Sequence, residues 1–417
     1  MTIRNVSARI ALLAMTASQL QAAGFALYET SAKGIAVGGA NVGYTGDASA
    51  AQVNPANMTQ APGTQTMLGM TAIIPGGSVD FGDSTGSQLK TECFSVPHTY
   101  ATYQFLEDWW LGMGIYSEFG LGTDYDTDWP GRFNALETKL ETLTFSPTLA
   151  YKVTDDLSLG VGARIMYLDF STRKAIANPY APSAVMGYST TCGDTMGYGW
   201  LAGATYNLTE DWTLGAVYRS RVRQHVTDGD VYYDSASPTP PYPPSDRVDA
   251  EAIIVLPSSA TLGSNYKMLD NKLNLGTAVT WTEWSTYDAL DINFARPLLG
   301  RPSSENMKDW NDAWRFGFGA EYALTKHWSL LGGYVFDMCP ISEEQTDFMM
   351  PSGNRNIFST GLGYTCENGF YATLSYAYLM MMENTRLIHN SYNNTDAYAT
   401  FANMDAHMIS ASVGWNF

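Results

Sequence analysis

The chain has 417 residues, of which only 15 % are charged, 13 % are aromatic and 38 are glycine. Soluble domains carry charge on roughly 25 % of their residues, and a formal net charge of −18 argues against nucleic acid as a partner. Beyond the N-terminus no apolar run reaches the ~18 residues of a membrane-crossing helix. Few charges with many aromatics and glycines suit a transmembrane β-barrel, whose apolar residues are spread one in two.

The first 22 residues have the parts of a secretory signal peptide. Arg4 and Arg9 form a basic start, "IALLAMTA" (10–17) an apolar core and "LQA" a small-residue exit before Ala23. Cleavage after Ala22 removes both arginines and takes the charge to −20. The stretch that follows is not strand-like. "GDASAAQVNPANMTQ" (46–60) shows neither strand alternation nor the apolar stripe of a core helix. A segment enclosed by a barrel can dispense with both, because lumen side chains and water satisfy its backbone. The expected division is a signal peptide at 1–22, an N-terminal hatch at 23–63 and a barrel at 64–417.

From residue 103 onward a unit recurs. "YQFLEDWWLGMG" (103–114), "YKVTDDLSLGVG" (151–162), "YNLTEDWTLGAV" (206–217), "YKMLDNKLNLGT" (266–277) and "YALTKHWSLLGG" (322–333) share an aromatic, a tight polar turn and an alternating run. "YTCENGFYATLS" (364–375) is a looser copy. Each reads as a hairpin. Six turns join twelve strands; "TMLGMTAII" (66–74) before them and "MISASVGWNF" at the end make about fourteen. Long connections fall at 75–95, 121–137, 173–195, 224–250, 285–309, 339–353 and 385–405. Short turns on one side and long loops on the other are the outer-membrane pattern. A propeller repeats at a similar period but needs no such split.

Alternation sorts the faces. In the last strand Ile409, Ala411, Val413, Trp415 and Phe417 face lipid, and the terminal Phe417 suits recognition by the barrel-assembly machinery. After Trp212, the residues Leu214, Ala216 and Tyr218 face lipid, which puts Arg219, Arg221 and Arg223 on the lumen side or its rim. An unpaired Arg at mid-bilayer would cost ~2–4 kcal/mol. Arg164, Arg315 and Glu321 are lumen candidates for the same reason.

Signals for chemistry are weak. "GDSTG" (82–86) fits a nucleophile elbow but lacks a following helix pattern. His98, His225, His327, His389 and His407 show no paired spacing and there is no C-x-x-C, so no metal site, cofactor or catalytic residue is expected. Of the four cysteines, Cys93 and Cys192 are the expected disulfide, both near the outer end.

Several stretches resemble the long-chain fatty acid outer-membrane transporter family (FadL type, which includes TodX-like aromatic-hydrocarbon transporters). "AGFALYETSAKGIAVGGANVGYTGDASAAQVNPANM" resembles its N-terminal plug, with Asn54, Pro55 and Ala56 matching its NPA element. "GMGIYSEFGLGTDYDTDWPGRF" resembles its third strand and next loop, and "GAVYRSRV", "LPSSATLGSNYK", "WTEWSTYDAL", "DAWRFGFGAEY" and "NRNIFSTGLGYT" resemble later strands in order.

The resemblance implies an all-β transmembrane fold: a monomeric, fourteen-stranded antiparallel barrel in the outer membrane of a Gram-negative bacterium, amid lipid and lipopolysaccharide, with a hatch in its lumen. It implies passive uptake of a hydrophobic ligand, long-chain fatty acid or hydrocarbon, from an apolar extracellular groove to an interior pocket. Exit is sideways through a kink in the third strand. That kink maps to Ser117, Phe119, Gly120, Leu121 and Gly122, where the glycines alone also fit a strand-end turn. Asn54 is the expected cover for the backbone groups the kink leaves unpaired. For a carboxylate the family places a basic residue at the outer end of the fifth strand, here Arg173 or Lys174. A second precedes "DAWR", where Lys308 is nearest but about two positions displaced. "AIANPYAPSAVMGY" (175–188), "SPTPPYPP" (237–244) and "FMMP" offer apolar surface for capture, though ordinary loops share this composition. The competing readings are uptake of neutral aromatic or alkane hydrocarbons, and an open porin or adhesin barrel.

Overall fold

The structure is a computed structural model and describes residues 24–82, 86–239 and 242–417. The signal peptide at 1–22 and the centre of "GDSTG" lie outside the described residues.

Fourteen antiparallel strands form a ring. They are β1 (Thr64–Asp80), β2 (Phe94–Leu106), β3 (Trp109–Tyr116, resuming as Gly120–Asp124), β4 (Glu137–Lys152), β5 (Leu157–Asn178), β6 (Ala181–Asn207) and β7 (Trp212–Arg219, resuming as Val222–Ser235). They continue as β8 (Asp246–Leu256, resuming as Ser259–Met268), β9 (Leu273–Thr282), β10 (Ala313–Ala323), β11 (Trp328–Asp337), β12 (Arg355–Thr365), β13 (Phe370–Met381) and β14 (Thr395–Asn416). The ring closes where β14 pairs with β1, from Asn416 opposite Gln65 to Thr400 opposite Asp80.

The recurrent sequence unit has a physical cause. In three copies a Thr hydroxyl, of Thr154, Thr209 and Thr325, accepts backbone N–H groups two and three residues ahead. The N–H before each Thr donates to the carbonyl four residues on: Val153 to Leu157 (2.8 Å), Leu208 to Trp212 (2.8 Å) and Leu324 to Trp328 (2.9 Å). Short polar side chains thus stand in for backbone partners and fix the turns. Aromatic pairs lie beside the turns, such as Trp109–Tyr151 (4.4 Å between centroids) and Trp328–Tyr364 (4.9 Å), as an interfacial girdle requires.

Alternation holds in the wall. Ile409, Val413, Trp415 and Phe417 are exposed outward while Ser410 and Ser412 are buried inward. The loop expected at 173–195 is instead strand. β5 and β6 run for 22 and 27 residues and pair as far as Asn178 opposite Ala181. A bilayer needs only ~9–11 residues per strand, so the remainder projects as a hairpin that carries Pro179 at its tip.

Inside the ring lies the N-terminal segment. It holds helix α1 (Ala32–Ala36), helix α2 (Ala50–Val53) and a 3-10 turn (Pro55–Gln60). Ser31 Oγ caps α1 by accepting from Gly34 N (3.0 Å). Ser412 Oγ on β14 accepts from Ala32 N (3.0 Å), and Lys33 pairs with Glu321 on β10 (2.9 Å). Wall glycines make room for this segment: a Cβ on Gly160 would lie 2.5 Å from Ala56 N.

The expected Cys93–Cys192 disulfide is not formed; all four cysteines are free. Cys93 leads into β2 and Cys192 lies on β6. Strands spaced ~4.8 Å apart put four such steps well beyond the ~7 Å reach of a bridge.

Candidate functional site

β3 breaks after Tyr116. Both halves stay paired with β4, up to Tyr116 opposite Thr144 and again from Gly120 opposite Glu141. The opposite edge separates: β2 pairs with β3 only from Thr99 opposite Ile115 downward, while Phe94–His98 pairs with β1 alone among the described residues. The side chain of Thr142 on β4 holds the break. Its hydroxyl accepts from Phe119 N (3.0 Å) and Glu118 N (3.3 Å) and donates to Phe119 O (2.8 Å).

The exposed edge is covered from within by the N-terminal segment. Leu27 N donates to Glu118 O (2.7 Å) and Gly120 N donates to Phe25 O (2.9 Å), so Ala26 and Phe119 form a bridge. Asn54 does not cover the break as expected. Its amide donates to Val42 O (3.0 Å), Ala204 O (3.2 Å) and Thr205 Oγ1 (3.0 Å) on β6, and its Oδ1 accepts from Ala56 N (3.2 Å). The Asn-Pro-Ala element thus ties the segment to β5 and β6, two and three strands along the ring from the break. Ser117 and Phe119 lie in the break, and Gly120, Leu121 and Gly122 in the strand that resumes after it.

Beneath the break lies a buried charge pair. Arg164 on β5 donates through Nε to Glu118 Oε1 (3.0 Å), through Nη2 to Glu118 Oε2, and through Nη1 to Ser220 O (2.6 Å). Arg219 donates to Gln52 O (2.6 Å) and Val53 O (3.1 Å). With Leu27, Tyr28 and Arg315, these groups line an interior cavity of about 90 Å³. Arg164, Arg219 and Arg315 therefore face the lumen as expected. Arg221 and Arg223 do not: a break at Ser220–Arg221 reverses the alternation, burying Val222 and Gln224 and turning both arginines outward.

Above this cavity sits an aromatic cage. The Phe25 ring lies 4.9 Å from Trp284, 5.5 Å from Tyr287, 5.8 Å from Trp310 and 5.9 Å from Phe119, all edge-on. The cage is continuous with Leu290 and Ile292, which line a cavity of about 910 Å³ among the outer connections. That volume is within the ~300–1,000 Å³ of ligand sites. Ala175, Ile176, Ala177, Pro179 and Met186 of the β5–β6 hairpin line it, as does Met349 of "FMMP". The described residues of "SPTPPYPP" do not.

The candidate cations separate into two kinds. Lys174 is exposed on the wall of the large cavity and has no ion pair among the described residues; desolvation by the protein around that cavity, with Arg301 and Lys308 nearby, lowers its ammonium below the ordinary lysine range against the opposing pull of Asp347. Arg173 is half-buried and stacks on Tyr188 at 4.8 Å. Lys308 is buried and paired with Asp347 (2.8 Å), so its charge is already compensated. Sequence reasoning missed Arg301, which lines the cavity beside Lys174. It also missed the Trp284–Tyr287–Trp310 cage, although "WTEWSTYDAL" was in view.

The solved structure of a Pseudomonas aeruginosa FadL homologue superposes with a TM-score of 0.80 at 21 % identity, covering 94 % of this chain and all of that one. The Pseudomonas putida toluene transporter TodX superposes with a TM-score of 0.74 at 17 % identity, covering 94 % and 99 %. These likenesses bear on the fold. The long-chain fatty acid transport protein of Escherichia coli O6:H1 is 24 % identical over 87 % of this chain and 88 % of its own. Because the family model for outer membrane protein transport protein (OMPP1/FadL/TodX) matches residues 13–417, the chain belongs to that family of outer-membrane β-barrels, which transport hydrophobic compounds and are not enzymes.

Proposed function

We propose that this outer-membrane transport protein takes up long-chain fatty acids. The carrying observation is a 910 Å³ cavity of mixed polar and apolar lining that two cations, Lys174 and Arg301, face without forming an ion pair among the described residues. An acyl chain gains ~0.8 kcal/mol for each CH₂ it buries, and a carboxylate held by cations gains charge-assisted hydrogen bonds. Glu305, Glu344 and Asp347 also line the cavity, and Asp347 is held by Lys308. In this reading residues 23–63 act as a hatch. Withdrawal of Phe25 from its cage joins the outer cavity to the inner one, and release of Phe25–Leu27 from the β3 edge opens the wall sideways.

A second reading, uptake of aromatic hydrocarbons, is favoured by the cage itself, since Phe25 already places a flat ring among Phe119, Trp284, Tyr287 and Trp310. Labelled oleate and labelled toluene, offered to a host lacking its own fatty acid transporter, separate the two. Oleate uptake above the empty host, lost in Lys174→Ala, is expected. Toluene uptake alone would replace the first reading with the second.

A further inference from the structure

The wall has a second discontinuity, on the far side of β4 and β5 from the first. β6 and β7 are laddered from Asn207 opposite Thr213 up to Leu201 opposite Arg219, and again from Cys192 opposite Asp230 outward. Between these, residues 193–200 of β6 and 220–229 of β7 share no ladder. What joins the two strands there, among the described residues, is Ser220 N to Trp200 O (2.9 Å), Trp200 N to Ser220 Oγ (2.9 Å) and Thr195 Oγ1 to His225 O (2.7 Å).

The cause is a shared bend. β7 breaks at Ser220–Arg221 and β8 breaks beside it at Pro257–Ser258, where a proline cannot donate to a ladder. Val222 stays paired with Leu256, so the outer halves of β7 and β8 lean inward together and leave β6 behind. Their side chains fill the space. Val222, Gln224 and Val226 are buried against the inward glycines of β6: a Cβ on Gly197 would lie 2.6 Å from Val222 Cγ1, and one on Gly199 2.9 Å from Val222 Cγ2. Gln224 Nε2 reaches past β6 to Met166 O on β5 (3.3 Å), while its Oε1 has no partner among the described residues.

Both faces of the seam offer apolar surface, with Arg221 and Arg223 of β7 turned outward beside it. Outside, Met196, Tyr198 and Trp200 of β6 are exposed, Tyr198 at 70 %. Counting from the short turn at Asn207, with ~9–11 residues crossing the bilayer, they stand at the level of the outer leaflet. Inside, Gly193, Val226 and Gly229 border a small apolar void that shares Thr191, Leu290 and Ile292 with the large cavity. In lipid, backbone without a ladder is tolerated only where protein covers it, and here the cover is three side chains rather than a strand.

The geometry points to this seam as a second lateral port, through which alkyl chains dissolved in the outer leaflet exchange with the large cavity. Val222, Gln224 and Val226 are its movable closure.

The test reads chemical access, so it stands whichever solute is carried and its failure is separable from failure of the fatty acid reading. Cys93, Cys192, Cys339 and Cys366 are replaced by Ser and a single reporter, Val222→Cys, is introduced; Gln224→Cys serves if that variant does not fold. The full chain in lipid nanodiscs is exposed to N-dodecylmaleimide dissolved in the bilayer or to a sulfonated maleimide in the water. Modification by the lipid-borne reagent is expected to be roughly tenfold faster or more, about 1.4 kcal/mol in barrier. Ala278→Cys, buried on β9 with ladders on both edges, is expected to be slow with both. Equal rates from water and lipid, no reaction at Val222→Cys and Gln224→Cys, or equal lipid-borne modification of Ala278→Cys would each overturn the proposal.

Discussion

Ala26 and Phe119 face each other as an antiparallel bridge whose flanking bonds run from Leu27 N to Glu118 O and from Gly120 N to Phe25 O. That pattern makes them a non-hydrogen-bonded pair, with Cα atoms typically ~4.5 Å apart. It is within the ~4.4–6.8 Å that a disulfide spans. Ala26→Cys with Phe119→Cys in a background without the native cysteines is therefore expected to crosslink on oxidation, to abolish oleate uptake and to regain it on reduction. Unchanged uptake with a crosslink verified by mass spectrometry would show that this edge does not open in transport.

Much of this was readable from the chain, because its signals are local. The wall follows from period-two alternation, and the turns from Thr hydroxyls two and three residues from the N–H groups they serve. The break in β3 was an expectation of the family resemblance, since Gly120 and Gly122 alone fit a strand-end turn as well. What covers that break was not legible, since Phe25–Leu27 meets it across more than ninety residues of sequence and nothing in "GFALYE" names its partner. Asn54 was misplaced for the same reason, with its wall contacts about 150 residues away. Arg221 and Arg223 were misassigned because strict alternation was carried through Ser220. The adjacent "LPSS" held the warning: Pro257 interrupts β8 at the level where β7 bends. Arg301 entered the site by way of a short outer hairpin, Ile292–Leu298 with Arg301–Ser304, which has no distinctive pattern.

Lys174 makes the fatty acid reading sensitive to pH. Its ammonium is held below the ordinary lysine value by desolvation from the surrounding protein and by Arg301 and Lys308, against Asp347. A bound carboxylate favours the charged form and raises that pKa again, so above the free value binding takes up a proton. Affinity is then full at neutral pH and declines as pH rises through the lowered value, before the ~10.4 of a free lysine. Lys174→Arg should remove the decline. Lys174→Met should weaken oleate binding by roughly tenfold or more, since hydrogen bonds to charged groups contribute ~1.5–3 kcal/mol, and leave toluene binding unchanged. Calorimetric titrations at pH 7 to 10 measure both effects. A pH-independent affinity would separate Lys174 from the carboxylate.

The Lys308–Asp347 pair makes a prediction of opposite sign for its two members. Lys308→Ala leaves the Asp347 carboxylate on the wall of the large cavity without its ion-pair partner, adding repulsion against an anionic ligand and drawing on Lys174. Asp347→Asn frees the Lys308 ammonium and adds attraction. Oleate affinity should fall in the first variant and rise in the second, while toluene affinity moves in neither. Equal effects on both ligands would mean that the pair shapes the cavity and does not tune its charge.

Glu118 and Arg164 fix the break in β3 to β5 and, through Ser220 O, to the bend in β7. Their side chains are 7 % and 1 % exposed, so each charge depends on the other. Removing one partner of such a pair costs ~3–5 kcal/mol, because the remaining charge stays buried, whereas replacing both with apolar residues is often neutral. Glu118→Met is therefore expected to lower the urea midpoint of barrel unfolding strongly, as Arg164→Met should. Glu118→Met with Arg164→Met should recover most of that loss. The double variant also severs the side-chain link between the break in β3 and the bend in β7. Ala26→Cys with Phe119→Cys should then crosslink less completely, as the edge is no longer held in register. If the double variant is as unstable as the sum of the two singles, the pair does not act as a unit and the break is held by Thr142 and the Ala26–Phe119 bridge without it.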